Sequence, residues 1–157
     1  MPARRPAKKS VKKRAQKPAR RAAKTPAAKS EKTHATTPAD VDRLFGEHVN
    51  AADLDALVDL YEADATLGQL DGTAVRGHRA IREALNGLRA AQAKIEMDVV
   101  KVVEGGADVA VLFNDWRMKA IGSDENPVEM TGKALEVVRR QKNGTWRFVI
   151  DLPYARG

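Results

Sequence analysis

The hydrophobic period changes once along this chain, and that change limits the folds open to it. Up to Ala91 the apolar residues of the central stretch recur at helical spacing; from Ala93 onward they alternate. Pro38-Ala-Asp40-Val41 opens a helix, with Pro38 suited to a first turn and Asp40 and Asp42 at the positive end of the helix dipole. Val41, Leu44, Phe45, His48 and Val49 fall on its apolar stripe. Asp53 reads as the N-cap of a second helix over 54–63, with Leu54, Leu57, Val58 and Tyr61 facing inward. Short strands over 66–70 and 73–76 flank an Asp71-Gly72 turn, and a third helix over 78–91 buries Ile81, Leu85 and Leu88. Four strands follow, over 95–103, 109–121, 128–141 and 146–152, joined by turn-rich connections. Helices first and hairpins last predict an α+β fold, with helices packed on one face of an antiparallel sheet.

Charge divides the chain at Pro38. Residues 1–37 carry 13 Lys and Arg against the single acid Glu31, a net +12; residues 38–157 carry 15 basic and 20 acidic residues, a net −5. All seven aromatics lie in the second part. Residues 1–37 therefore read as a disordered basic tail and 38–157 as one folded domain. The tail resembles the Lys/Ala/Pro tails of linker histones in composition. Arg4, Arg5, Lys8, Lys9, Lys12, Lys13, Arg14, Lys17, Arg20, Arg21 and Lys24 suit nonspecific contact with nucleic-acid phosphates. With no aromatic to stack on bases, sequence specificity is not expected. The alternative is a solvated tail that aids solubility.

Several function classes are excluded by what the chain lacks. It has no cysteine and only three scattered histidines, so no metal site is expected. It has no Gly-rich phosphate loop, catalytic triad order or dinucleotide fingerprint, so no cofactor is expected. No apolar run approaches the ~20 residues of a membrane span, and no secretory signal is visible. A cytoplasmic protein without a membrane partner is the expectation, nucleoid-associated if the tail binds DNA.

Asp151 is the candidate catalytic residue. It stands between Ile150 and Leu152 in an apolar stretch, where desolvation would raise its pKa and suit it to acid–base work. The alternative is a structural carboxylate bonded to backbone N–H groups or an arginine. Asn114 and Trp116 share one strand face and Asp115 takes the other; alternation alone does not say which face is inward. Glu136 alternates with Ala134 and Val138, so it either faces water or serves a function. His48 lies on an apolar helical stripe, as a base or a packed histidine. Tyr61 packs, with its hydroxyl reaching the rim. His78 reads as a polar residue at a helix start.

The strings Asn50-Ala-Ala-Asp-Leu-Asp-Ala-Leu-Val-Asp-Leu-Tyr-Glu-Ala-Asp-Ala65, Gly77-His-Arg-Ala-Ile-Arg-Glu-Ala84 and Asn143-Gly-Thr-Trp-Arg-Phe-Val-Ile-Asp-Leu-Pro-Tyr154 resemble the NTF2-like superfamily. The nearest branch is the SnoaL-like and ketosteroid-isomerase-homologue (DUF4440) group. The resemblance implies a cone, in which three helices close a strongly curved sheet around a cavity for a small apolar ligand. It also implies a homodimer formed through the sheet. In the ketosteroid isomerases a helical tyrosine and a strand aspartic acid hold the oxyanion, and another aspartate is the base. The matching positions here are Phe45, Glu136 and Gln69, so two of the three roles are lost and that mechanism is not expected. Gln69 can still orient a ligand. Three readings follow. The first is a ligand-binding domain with a polyanion-binding tail, its site drawn from Phe45, His48, Tyr61, Gln69, Asn114, Trp116 and Glu136. The second is an acid–base enzyme using Asp151. The third is a nucleoid protein whose dimer makes the tail bivalent.

Overall fold

The computed structural model of the chain describes residues 34–155. The basic residues 1–33, and with them the expected nucleic-acid contacts, lie outside the described residues. Three helices, α1 (Pro38–Ala51), α2 (Leu54–Asp59) and α3 (Gly77–Ala90), accompany six strands. The strands are β1 (Tyr61–Gly68), β2 (Ala74–Arg76), β3 (Lys94–Glu104), β4 (Val109–Ile121), β5 (Pro127–Arg140) and β6 (Trp146–Leu152). They form one sheet in the order β2-β1-β6-β5-β4-β3. The α+β class is as expected. The sheet is not wholly antiparallel, because β1 runs parallel to β6. The remaining neighbours are antiparallel pairs of consecutive strands.

The helix boundaries follow from local chemistry. Thr37 caps α1 in a capping box: its hydroxyl accepts from the Asp40 N–H at 3.3 Å, and Asp40 accepts from the Thr37 N–H at 2.9 Å. Asp40 also takes the backbone and hydroxyl of Thr36, both at 3.0 Å. Burial pushes the Asp40 carboxyl up, but these hydrogen bonds outweigh it and hold the pKa at about 2. Asp53 caps α2 by accepting from the Ala56 N–H at 3.0 Å. Residues ahead of the expected boundary at Pro38 also pack on the domain. Ala35 is buried, and its carbonyl accepts the Trp146 N–H at 2.9 Å. The second helix also ends four residues early, at Asp59, so Tyr61 begins a strand and is not a helical residue.

The core lies between the helices and the concave face of the sheet. Ala110, Leu112, Asn114, Trp116, Met118 and Ala120 of β4 point inward, as do Ala134, Glu136 and Val138 of β5. This resolves the alternation: Asn114 and Trp116 face the core. A β-bulge at Val149 matters more. Val138 pairs with Phe148 but Val137 pairs with Ile150, so β6 carries one extra residue. Past the bulge the inward position passes to Asp151, opposite Glu136, and Ile150 turns outward. Among the described residues no helix is long and apolar enough to cross a membrane.

Candidate functional site

A cavity of about 180 Å³ opens between the sheet and the helices. Its apolar wall comes from every layer: Phe45 of α1, Leu67 of β1, Ala84, Leu85 and Leu88 of α3, Ile95 and Met97 of β3, and Met118 of β4. Gln69, Leu70, Pro153 and Tyr154 also line it. Asp151 and Glu136 are on this wall, side by side on adjacent strands. No Lys, Arg or His is among the described residues that line it.

Trp116 owes its position to a glycine. Its indole lies across Gly132, its neighbour on β5, where a Cβ would overlap the ring. The indole Nε1–H donates to the Pro153 carbonyl at 2.8 Å, and Tyr154 packs edge-on at 5.6 Å. Together they tie the segment after β6 to the cavity wall.

Behind the two wall carboxyls lies a sealed polar cluster. The Tyr61 hydroxyl donates to Asp151 Oδ2 at 2.5 Å, a charge-assisted length, with both groups buried. Asn114 is fully buried, and its amide nitrogen donates to Glu136 Oε1 at 2.7 Å and to Asp42 Oδ2 at 3.1 Å. Asp42 is fully buried, and its Oδ1 has no hydrogen-bond partner among the described residues. Burial pushes the Asp42 carboxyl up to about 7, helped by the charge of Asp151 and opposed by the Asn114 N–H. Asp151 rises to about 6 by burial, opposed by the Tyr61 hydroxyl. The Tyr61 hydroxyl itself is pushed well above 10.0, by burial first and by Asp151 second. The arrangement can accept a hydrogen bond from, or exchange a proton with, a group that enters the cavity near neutral pH.

Of the residues singled out from sequence, Phe45, Gln69, Trp116, Glu136 and Asp151 meet at the cavity. Asn114 and Tyr61 stand one layer behind it, Tyr61 with its hydroxyl turned inward to Asp151 and not to the rim. His48 lines a separate surface depression with His34, Asp59 and Trp146. His78 donates from Nε2 to the Tyr61 carbonyl at 2.9 Å, which anchors the start of α3 to β1. Asp42, expected to serve the helix dipole, instead belongs to the buried cluster. The signal was present: Asp42, Phe45 and Val49 share one face at i, i+3 and i+7. Among the described residues no group of three or more His, Cys, Asp or Glu is placed to hold a metal ion.

The family model described as a SnoaL-like domain matches residues 41–149. The chain belongs to the SnoaL-like family. Solved structures show the same fold for this SnoaL-like chain. A ketosteroid isomerase-like protein from Erwinia carotovora atroseptica SCRI1043 superposes with a TM-score of 0.65 at 16% identity, covering 73% of this chain and 89% of that one. An NTF-2 like protein of unknown function from Shewanella oneidensis MR-1 gives 0.62 at 16% identity, covering 73% and 93%. A putative calcium/calmodulin-dependent protein kinase type II association domain from Thiobacillus denitrificans ATCC 25259 gives 0.60 at 21% identity, covering 74% and 94%. At these identities the likeness is one of fold. No curated protein matches the sequence of this SnoaL-like chain.

Proposed function

We propose that this SnoaL-like domain binds a small, mainly apolar ligand in the cavity, with the ligand's polar end against Asp151 and Glu136. The observation that carries the reading is the pair of adjacent carboxyl side chains on a wall otherwise built mainly from apolar and aromatic groups, with Gln69. Burying such groups costs stability, and a bound hydrogen-bonding partner offsets that cost. Size narrows the ligand. An apolar cavity of roughly 150 Å³ accommodates benzene, so about 180 Å³ suits a single ring with short substituents and not a fused polycycle. Titrating ring-sized compounds into the labelled protein should shift methyl signals of Leu85, Leu88 and Met118. Ala84→Phe, which fills the cavity, should weaken those shifts at least tenfold. Uniform silence from these methyls, or an unchanged response in the variant, would remove the reading.

One observation favours acid–base chemistry at the same place. The buried Asp151 carboxyl, pushed up to about 6 by desolvation, is held by the Tyr61 hydroxyl at 2.5 Å. In that reading its carboxylate takes a proton from a bound ligand and returns it. Deuterium exchange into a bound cyclic ketone, lost in Asp151→Asn, is the expected sign. The basic residues of the tail support a third element of the proposal: nonspecific association with nucleic acid, strengthened if the domain is a homodimer. The exposed Val100, Val102, Val103, Ile121, Val128 and Ile150 of the sheet support the dimer.

A further inference from the structure

The charged part of the cavity wall has one sign among the described residues. Asp151 and Glu136 line it, and Asp42 stands behind them through Asn114. Lys, Arg and His are missing from the lining among the described residues. Tyr61 occupies Oδ2 of Asp151, and among the described residues no hydrogen bond reaches Oδ1 of this lining residue. The wall therefore offers a ligand acceptors before donors. An anionic ligand would meet two carboxyl groups on a wall with no Lys, Arg or His among its described residues. A neutral carbonyl would need donors, which here come from Gln69, the Tyr154 hydroxyl or a protonated carboxyl. A ligand that donates is better matched, and one that also carries positive charge gains from every carboxylate in a low-dielectric site. Trp116 and Tyr154 add aromatic surface to the same wall, which attracts cations through their ring quadrupoles.

We infer that the ligand of this cavity is a ring-sized organic amine held as its ammonium, donating to Asp151 Oδ1 and to Glu136, with its apolar ring among Leu85, Leu88, Ile95 and Met118. This rests on the cavity being a ligand site, and it names the ligand class. Where the amine arrives unprotonated and Asp151 holds a proton, that proton passes from Asp151 to the amine nitrogen and nothing else changes.

The test uses four single-ring probes on the full chain at pH 7.5: benzylamine, benzyl alcohol, toluene and benzoate. Binding is read from methyl shifts and from intermolecular contacts between probe ring protons and Leu88 and Met118. The expected order is benzylamine tightest, by at least tenfold over benzyl alcohol and toluene, with benzoate weakest. In Asp151→Asn, checked for native folding by its amide spectrum, the advantage of benzylamine over toluene should fall below threefold. Toluene, benzyl alcohol or benzoate equalling benzylamine would overturn the amine assignment and leave the cavity as a ligand site. An undiminished amine preference in Asp151→Asn would overturn it too. Silence from all four probes would remove the cavity reading itself, and the assignment with it.

Discussion

Asp42 carries a proton that its counterpart in an unfolded chain would lose. Its ordinary value is 3.8, and burial, aided by the charge of Asp151 and opposed by the Asn114 N–H, lifts it to about 7. Between those values the folded chain holds more protons than the unfolded one, so stability falls as pH rises. The contribution is complete below pH 4 and lost on passing pH 7. Asp151 acts in the same direction, its share lost on passing about pH 6. Asp40 acts in the opposite direction: its contribution is present above pH 4 and lost as pH falls through about 2. The windows do not overlap, so a single substitution separates them. Asp42→Asn keeps an oxygen to accept from Asn114 and removes the charge. The native protein should lose on the order of 4 kcal/mol more than Asp42→Asn between pH 4 and pH 8. Urea midpoints across that range measure the difference. A difference under about 1 kcal/mol would show that Asp42 does not titrate as its burial requires.

At the scale of strands and helices, the close approach of β4 and β5 at one pair decides the shape of the cavity wall. Gly132 lets Trp116 lie flat across its neighbour and reach the Pro153 carbonyl. Gly132→Val should lift the indole, break that hydrogen bond and cost about 1–3 kcal/mol, as overpacking does elsewhere. Thermal unfolding reads the loss, and a red shift in tryptophan emission locates it, since Trp146 packs beside Ala35 and pairs with Arg140, at the other end of β5 from Gly132. An unchanged emission spectrum would mean the ring does not depend on the glycine. The same elements show how far alternation can be read. Period two along 109–121 is enough to put Asn114 and Trp116 on one face, and their burial follows once β5 brings Ala134 and Glu136 beside them. Asp151 is different. Strict alternation from Trp146 and Phe148 would send Ile150 inward, and only the extra residue at Val149 turns Asp151 to the cavity. A bulge is a property of two paired strands and leaves no mark in one. Tyr61 was hidden for a related reason: its helical spacing with Leu57 and Val58 is real, but α2 ends before it. Asp42 was legible as a position on an apolar helical face, whereas its partner Asn114, 72 residues away, was not.

For the molecule as a whole, opposite charges on two segments set what the chain does in solution. The domain from 38 onward carries −5, which repels phosphates, while residues 1–37 carry +12. Any binding to nucleic acid by the full chain must then come from the basic segment and weaken steeply with salt, by about −0.9 in log–log slope per phosphate neutralised. The place to cut follows from the fold. Ala35 is packed and bonded to Trp146, and Thr36 and Thr37 hold Asp40 at the start of α1. Deleting residues 1–33 should therefore keep the α1 cap and abolish any DNA mobility shift. Deleting 1–37 should also abolish the shift, but at a cost of about 1–2 kcal/mol from the lost cap. Electrophoretic shifts at several salt concentrations, paired with thermal unfolding, measure both. A shift that survives the shorter deletion would place DNA binding on the acidic domain, against its charge. Equal stability of the two truncated forms would mean that residues 34–37 contribute nothing to the fold they touch.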